Sequence, residues 1–167
     1  MDTVYYRMKW SWDVILVSAL SLCAIIGGLV VFLVSEHGAW VYVAAALIVA
    51  TLLAVALYMP YGMGCSTDGV FVRRIKGTLL IPYNEIRHIS TMGSFDMMQL
   101  RVLGSGGFLG YYGIFWNQKI GRYVLYASQR EGLLLIETAR KKYVVSCPAP
   151  DDFIACCNRH RSNALQV

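Results

Sequence analysis

A glycine-rich run follows a strand-like segment in the middle of the chain, an arrangement that some proteins use to bind nucleotide phosphates. Gly104, Ser105 and Gly106 come directly after residues 97–103. A dinucleotide-binding loop also needs a third glycine and a helix whose N-terminus faces the pyrophosphate. Leu109 occupies the third glycine position, aromatic residues follow it, and the lysine of a Walker loop is absent. The run therefore predicts a structural segment, and we expect no cofactor.

Side chains that could act as an acid, a base or a nucleophile are few and scattered. His88 lies in a strand-like segment, and His160 lies between two arginines in the last predicted helix. Cys156 and Cys157 are adjacent, but activation of either thiol would need a cationic neighbour. No Cys-x-x-Cys pair is present, so the sequence predicts no metal site. We therefore expect a protein without catalytic residues or enzymatic activity.

Aromatic residues are interspersed with the glycines and offer a large apolar area. Three placements are open: the aromatic side chains form part of the core, they dip into a bilayer interface, or they contact a partner subunit. The last two make them candidate residues for binding lipid or a partner. These residues are Phe108, Tyr111, Tyr112, Phe115 and Trp116.

Two predicted turns carry clusters of basic residues and are candidates for binding anionic lipid headgroups. The chain has a formal net charge of +5, and a cation near an anionic leaflet gains about 1 kcal/mol. The alternative is that these charges are solvated surface. Nucleic acid is not expected as a partner, because no basic run is interleaved with aromatics at a recognisable spacing. The first turn contains Arg73, Arg74 and Lys76, and the second contains Arg140, Lys141 and Lys142.

The longest apolar segments predict a transmembrane helical hairpin over residues 14–59. Residues 14–34 and 39–59 each contain 21 residues without a charge. Each helix would be about 31 Å long, the thickness of the hydrocarbon layer. A short turn joins them, so both ends of the pair emerge on one side. A cleaved signal peptide is the alternative for the first segment, but the segment is too long and no cleavage site follows it.

Basic residues flank the hairpin and predict its orientation. Arg7 and Lys9 precede the first helix, Arg73, Arg74 and Lys76 follow the second, and the turn carries neither Lys nor Arg. The positive-inside rule therefore places both termini in the cytoplasm. In that reducing compartment we expect the cysteines of the domain to be free thiols.

The rest of the chain divides into a short lead and one domain. Residues 1–13 contain four aromatics of the kind found at headgroup depth and predict an interfacial segment. Residues 60–167 alternate between apolar and polar positions, with short turns, and predict antiparallel strands. The prolines and acids of residues 148–152 predict the start of a C-terminal helix. We expect an α+β membrane protein whose cytoplasmic domain is a small barrel or a two-sheet sandwich, capped by that helix.

Several motifs in residues 62–160 resemble bacterial pleckstrin-homology-like (PH-like) domains. The most specific is the glycine and aromatic run of residues 104–115. Others are the strand end Ile81-Pro82-Tyr83 followed by Ile86, and residues 135–138. The resemblance implies a seven-stranded barrel with a C-terminal helix, often carried on membrane helices, in a family largely without assigned biochemical activity. It does not imply phosphoinositide binding, because no matching set of basic ligand positions is present.

Two functions of different classes follow from these observations. The first is a membrane-anchored, non-enzymatic module that binds a protein partner or forms a homo-oligomer at the cytoplasmic face. The second is a module that binds anionic lipid headgroups of the bilayer through the two basic turns. A small membrane enzyme or a transporter subunit would need Asp, Glu, Lys, Arg or His within residues 14–34 or 39–59, or a clustered acid–base pair in the domain, and the sequence shows neither.

Overall fold

The structure is a computed structural model of the chain and describes residues 3–35, 38–92 and 100–164. Residues Glu36 and His37 of the predicted turn, and residues 97–99 of the predicted strand, lie outside the described residues. The elements in chain order are β1 (Val4–Arg7), α1 (Trp12–Ser35), α2 (Ala39–Leu57), β2 (Pro60–Cys65), β3 (Gly69–Arg74), β4 (Gly77–Pro82), β5 (Ile86–Met92), β6 (Leu100–Gly107), β7 (Gly110–Asn117), β8 (Gly121–Ala127), β9 (Leu133–Thr138), β10 (Lys142–Ser146) and α3 (Pro150–Ala164).

Helices α1 and α2 form the apolar pair that the sequence predicts. Both are long and apolar enough to cross a membrane, by length and composition. The rings of Phe32 and Trp40 meet edge to face at 5.2 Å between centroids, next to the turn that joins the helices. Most of their apolar side chains are uncovered, and Leu20 and Val34 are 68% and 70% exposed. These helices are therefore unlike the core helices of a water-soluble domain.

The first sheet has four antiparallel strands in the order β1-β2-β3-β4. Its edge strand β1 comes from the lead segment, residues 1–13, for which the sequence predicts a separate interfacial segment. Val4 and Tyr6 pack against the domain core, whereas Tyr5 and Arg7 point outward. This alternation has the period of a strand. The lead segment therefore contributes a strand to the domain before the chain enters α1.

The second sheet has six strands in the order β5-β9-β10-β8-β7-β6, in which β10 runs parallel to β8. The prediction of a seven-stranded barrel is wrong on closure. In the described part of the chain no ladder joins β4 to β5 or β1 to β6, so the two sheets stay separate. The described residues form ten strands rather than seven, since β1 joins the first sheet, β2 forms ahead of the first predicted strand, and the glycine run forms the β6–β7 hairpin rather than a loop.

Helix α3 packs across β2 and β5, and confirms the predicted C-terminal helix. Asp151 and Asp152 lie in its first turn, where carboxylates interact favourably with the helix dipole. Phe153 and Cys157 are buried in the domain core, and Ile154 is partly buried. The helix therefore covers the core through residues at i and i+4, as its pattern indicates.

The cysteines of the domain differ from the sequence expectation. Cys65 on β2 and Cys156 on α3 form a disulfide with their Cα atoms 6.9 Å apart. Cys147 and Cys157 are free and buried, and Cys23 is free and exposed on α1. The prediction that all cysteines of the domain are free thiols is wrong in this structure, because α3 brings Cys156 against a residue 91 positions earlier in the chain.

Candidate functional site

The β6–β7 hairpin lies against the domain-proximal ends of both apolar helices. The Leu109 N–H donates to Ser18 Oγ at 2.8 Å, and the Ser18 hydroxyl donates to the Gly107 carbonyl at 3.4 Å. The Tyr112 hydroxyl donates to the Val55 carbonyl at 2.8 Å. Ser18 is one and two-thirds turns into α1, so the hairpin tip reaches about 9 Å along the helix pair.

Two glycines allow the strands of this hairpin to approach closely. Gly104 and Gly113 face each other across the ladder, with φ of 132° and 130°. A Cβ on either residue would come within 2.1 Å of a carbonyl oxygen of the opposite strand. Because neither residue has a side chain, the hairpin presents bare backbone to the space beside it.

That space is a cavity of about 840 Å³ between α2 and the second sheet. Its volume lies in the range of small-molecule binding sites. The lining is largely apolar, and most of it comes from the second sheet. Helix α2 and its C-cap contribute Thr51, Ala54, Val55 and Tyr58, and the second sheet with its β6–β7 turn contributes Arg101, Leu103, Gly104, Ser105, Phe108, Tyr112, Gly113, Ile114, Val124 and Tyr126.

Positive charge lies at the edge of this cavity. Arg101 is the charged residue among the described lining residues, and its guanidinium passes next to Gly106. The Arg74 guanidinium donates to the Tyr126 hydroxyl at 3.1 Å and lies 5.5 Å from the centre of the Tyr126 ring. The cavity thus combines an apolar interior with the Arg101 guanidinium, and a second cation, Arg74, contacts its lining residue Tyr126. This arrangement suits a ligand that has an apolar body and an anionic end.

The predicted aromatic residues divide between core and cavity. Tyr111, Tyr112 and Phe115 are buried in the domain, and Phe108 is partly buried where it lines the cavity. Trp116 is 38% exposed and pairs with Leu100, at the end of the hairpin away from its tip. Burial raises the pKa of Tyr112 to about 12, so its phenol keeps the proton that it donates to α2.

A hydrogen-bonded group fixes the start of α1 to the same sheet. The Tyr111 hydroxyl donates to Asp13 Oδ2 at 2.8 Å, and the Arg130 guanidinium lies 2.9 Å from the same oxygen. The side chains of Arg130 and Asp13 are 58% and 39% exposed, so the ion pair itself contributes little stability. Its geometric effect is to hold α1 in place beside β7.

The first basic turn lies at the end of α2. The Lys76 N–H donates to the Leu57 carbonyl at 2.7 Å, and the Lys76 ammonium donates to the Tyr58 hydroxyl at 2.8 Å. A cation at this position also interacts favourably with the negative end of the helix dipole. The Arg73 guanidinium lies 5.0 Å from the centre of the Tyr5 ring. This turn therefore lies where α2 ends and the domain begins.

The second basic turn lies at the far end of the domain. Lys142 forms an ion pair with Glu137 at 3.0 Å, and Arg140 and Lys141 are exposed. The Ala139 N–H donates to the Glu85 carbonyl, so the second basic turn lies beside the end of β4. Lys76 of the first basic turn lies just before the start of β4. The two turns are thus separated by the length of a six-residue strand, about 20 Å. The structure does not bring the two basic turns into one site.

Comparison with known protein families identifies the family to which this domain belongs. A family model described as bacterial PH domain matches residues 62–161, which is more than half of the chain. The chain belongs to the bacterial PH domain family. No curated protein and no solved structure matches it. PH domains are generally non-catalytic modules, and in this bacterial PH domain His88 is exposed on β5, with no role in the cavity.

Sequence reasoning missed several residues of the cavity in this bacterial PH domain. Arg101 lies in a strand-like segment without a basic cluster, and Thr51 and Ala54 lie within an apolar helix. Ser18 is not a lining residue, but it carries a weak signal, because a serine in an apolar helix bonds either to the carbonyl four residues earlier or to another element. The structure supplies that partner from the hairpin, and Ser18 is 4% exposed.

Proposed function

We propose that this chain is a membrane-anchored bacterial PH domain that binds one anionic lipid in the cavity between α2 and the second sheet. The observation that carries the proposal is the cavity of about 840 Å³, which has an apolar lining and the Arg101 guanidinium. It opens beside the end of an apolar helix. A lipid is the ligand class that combines an acyl chain with an anionic headgroup, and a bilayer supplies it at high local concentration.

The membrane part of the proposal is supported by the exposed surfaces of α1 and α2. Both helices pass the length and composition test for spanning a bilayer, and they leave most of their apolar side chains uncovered. Basic residues flank the pair, as in cytoplasmic loops. We place the domain and both termini at the cytoplasmic face of a bacterial inner membrane. The tip of the β6–β7 hairpin then lies about 9 Å along the helices, within the depth of interfacial segments.

The lipid would be held by two kinds of contact. Apolar lining residues such as Leu103 and Ile114 accept acyl carbons, which gain about 25 cal/mol per Å² of buried apolar area. Arg101, with Arg74 behind Tyr126, accepts the headgroup charge. Arg140 and Lys141 lie about 20 Å away and take no part. This version of lipid binding therefore uses the first basic turn but not the second.

Two substitutions test this function. Ala54→Phe fills the cavity from the side of α2, and Arg101→Gln removes the charge from its lining. Each should lower the amount of anionic phosphatidylglycerol that remains bound to the full-length chain in mild detergent, by about tenfold for Arg101→Gln if one charge-assisted contact is lost. Native mass spectrometry counts the bound lipids directly.

Matched variants control for changes elsewhere. Leu53→Phe adds the same ring to a neighbouring, 62% exposed position of α2, and Arg140→Gln removes a charge from the second basic turn. Both should retain the lipid at the level of the unchanged chain. If Arg101→Gln and Arg140→Gln lose the same amount of bound phosphatidylglycerol, the attraction is one of general charge and the cavity site is excluded. Absence of bound lipid in the unchanged chain would also contradict the proposal.

A second function is favoured by the outer strand of the second sheet. Among the described residues β6 is an edge strand, and its Leu100, Val102 and Leu103 side chains are 65%, 57% and 69% exposed. An apolar edge strand is a template for pairing with another chain. Two copies of the domain that meet along β6 would form a homo-oligomer at the membrane surface.

This self-association is tested by placing a charge on the edge. In nanodiscs, chemical cross-linking should yield a dimer of the unchanged full-length chain but only monomer of Val102→Lys. Pairing along β6 would bury the lysine charge and remove it from water. Leu80→Lys is the matched control, since Leu80 is 48% exposed on the edge strand of the first sheet. A dimer that survives Val102→Lys, or an unchanged chain that is monomeric, would exclude an interface on β6.

A further inference from the structure

Helix α3 places two potential metal ligands on one face, opposite a third on β2. Cys156 and His160 are four residues apart on the helix, so their side chains share a face. Cys65 ends β2 under that face. The two sulfur atoms and a ring nitrogen of His160 all lie within 4.8 Å of one another. Three donors have thus been brought together from positions as far as 95 residues apart in the chain.

The donor set suits a thiophilic divalent ion. Two thiolates and an imidazole are the donors that Zn²⁺ takes, at about 2.3 Å for sulfur and about 2.0 Å for nitrogen. Two thiolates on one tetrahedral zinc ion are about 3.8 Å apart, by the geometry of those bonds. The Cα atoms of Cys65 and Cys156 are 6.9 Å apart, just beyond the usual disulfide range of about 4.4–6.8 Å. That separation leaves room for an ion between the two side chains once the sulfur atoms are not bonded to each other.

The histidine is held in position by a neighbouring ring. The rings of His160 and Tyr83 stack with centroids 6.5 Å apart and an interplanar angle of 18°. Cys156 and His160 are both partly exposed, whereas Cys65 is buried. An ion could therefore enter from solvent on the helix side and be fixed from the side of the sheet. The fourth position of a tetrahedral ion would be open to water, since only three donors converge in the described part of the chain.

We propose that the reduced chain binds one zinc-type divalent ion through Cys65, Cys156 and His160. The disulfide and the ion are alternative links between β2 and α3, because the same two sulfur atoms form both. A thiol reductant converts the disulfide to two thiols and is itself oxidised to a disulfide. Binding of the ion then releases the two thiol protons. A cytoplasmic domain, as placed under the proposed function, would be kept in the reduced form.

The other cysteines of the domain are poor ligands. Cys147 and Cys157 are buried in the domain core, and neither belongs to the group of three converging donors. The sequence predicts no metal site because it contains no Cys-x-x-Cys pair. Here the ligands are contributed by two elements that only the fold brings together.

Cobalt(II) is the probe for this site, because thiolate ligands give it a charge-transfer absorption. The full-length chain in mild detergent, reduced with a phosphine and free of chelator, is titrated with cobalt chloride. We expect one Co²⁺ per chain, the thiolate charge-transfer band, and displacement by an equimolar amount of Zn²⁺. The same chain with the disulfide intact should not give the band.

Variants assign the ligands. Cys156→Ser and His160→Gln change partly exposed side chains, and each should remove the one-to-one binding, while circular dichroism checks that each variant keeps its sheets. Cys23→Ser and His88→Gln are the matched controls and should bind as the unchanged chain does. The proposal is overturned if the reduced chain gives no charge-transfer band, or if the band persists in either Cys156→Ser or His160→Gln.

Discussion

Replacing Phe153 by alanine will lower the free energy of unfolding of the domain by about 3–5 kcal/mol, the usual cost of removing a buried phenylalanine ring. Phe153 is fully buried, and its ring meets the ring of Tyr6 edge to face at 6.1 Å between centroids. The loss would separate α3 from the two sheets and also loosen β1, which carries Tyr6. Denaturant titration of the full-length chain in mild detergent, followed by the circular dichroism of the sheets, measures the change.

Ala155→Ser is the control for this prediction. Ala155 is exposed on the same helix, and a surface substitution of this kind changes stability by about 0.5 kcal/mol or less. Both variants are measured with the disulfide reduced, because a covalent link between α3 and β2 would hold the helix in place after its packing is lost. Similar stabilities of Phe153→Ala and Ala155→Ser would mean that α3 does not close the core.

Gly104→Ala will destabilise the β6–β7 hairpin by about 2–4 kcal/mol, among the larger effects of a single methyl group. The added Cβ would come within 2.1 Å of the Tyr112 carbonyl oxygen and 2.7 Å of the Gly113 Cα atom. Both neighbours are backbone atoms, so they move only if the ladder opens. Because the hairpin forms one wall of the cavity, bound phosphatidylglycerol should fall together with the stability.

A second glycine separates the effect of the clash from the effect of the backbone conformation. Gly77 has φ of 140°, close to the 132° of Gly104, but no atom lies within 4 Å of its hypothetical Cβ. Gly77→Ala should therefore show only the conformational cost, about 1 kcal/mol. If Gly77→Ala and Gly104→Ala lose the same stability, the close approach of β6 and β7 is not what requires glycine.

The elements with a strong local pattern were predictable from the sequence. Two uncharged segments of 21 residues have few alternatives to apolar helices, and the Pro150–Asp152 start of α3 combines proline with acids where a helix dipole favours them. The glycine and aromatic run carried enough specificity for the bacterial PH resemblance, which the family match over residues 62–161 confirms.

The arrangement of the strands was not predictable in the same way. Which strands pair depends on contacts between distant residues, such as Val4 with Cys65, and on whether the last strand meets the first. Alternation in the sequence predicts strands but says nothing of closure, so the barrel expected from the resemblance was replaced by two sheets. The glycines also suggested a loop, although a close pair such as Gly104 and Gly113 is equally compatible with a tightly packed hairpin.

The candidate site was predictable only in part, for the same reason. The aromatic residues and the first basic turn were identified from composition, and the structure places Phe108 in the cavity lining and Arg74 beside it, bonded to Tyr126. The second basic turn had an identical appearance in sequence, yet it lies at the far end of the sheet. The sequence around Arg101 and Ala54 carries no local signal of a cavity. Each residue lines the cavity only because the fold places a distant element opposite to it.

The central claim is that the tip of the β6–β7 hairpin lies at the bilayer interface beside the two apolar helices. The most direct measurement is fluorescence quenching by brominated lipids in two single-tryptophan variants of the full-length chain in vesicles. One carries Phe108→Trp at the tip, and the other keeps only Trp116. We predict strong quenching of the tryptophan at position 108 and little quenching of Trp116, which lies about 20 Å along the hairpin. Equal quenching at both positions, or quenching of Trp116 alone, would contradict this account.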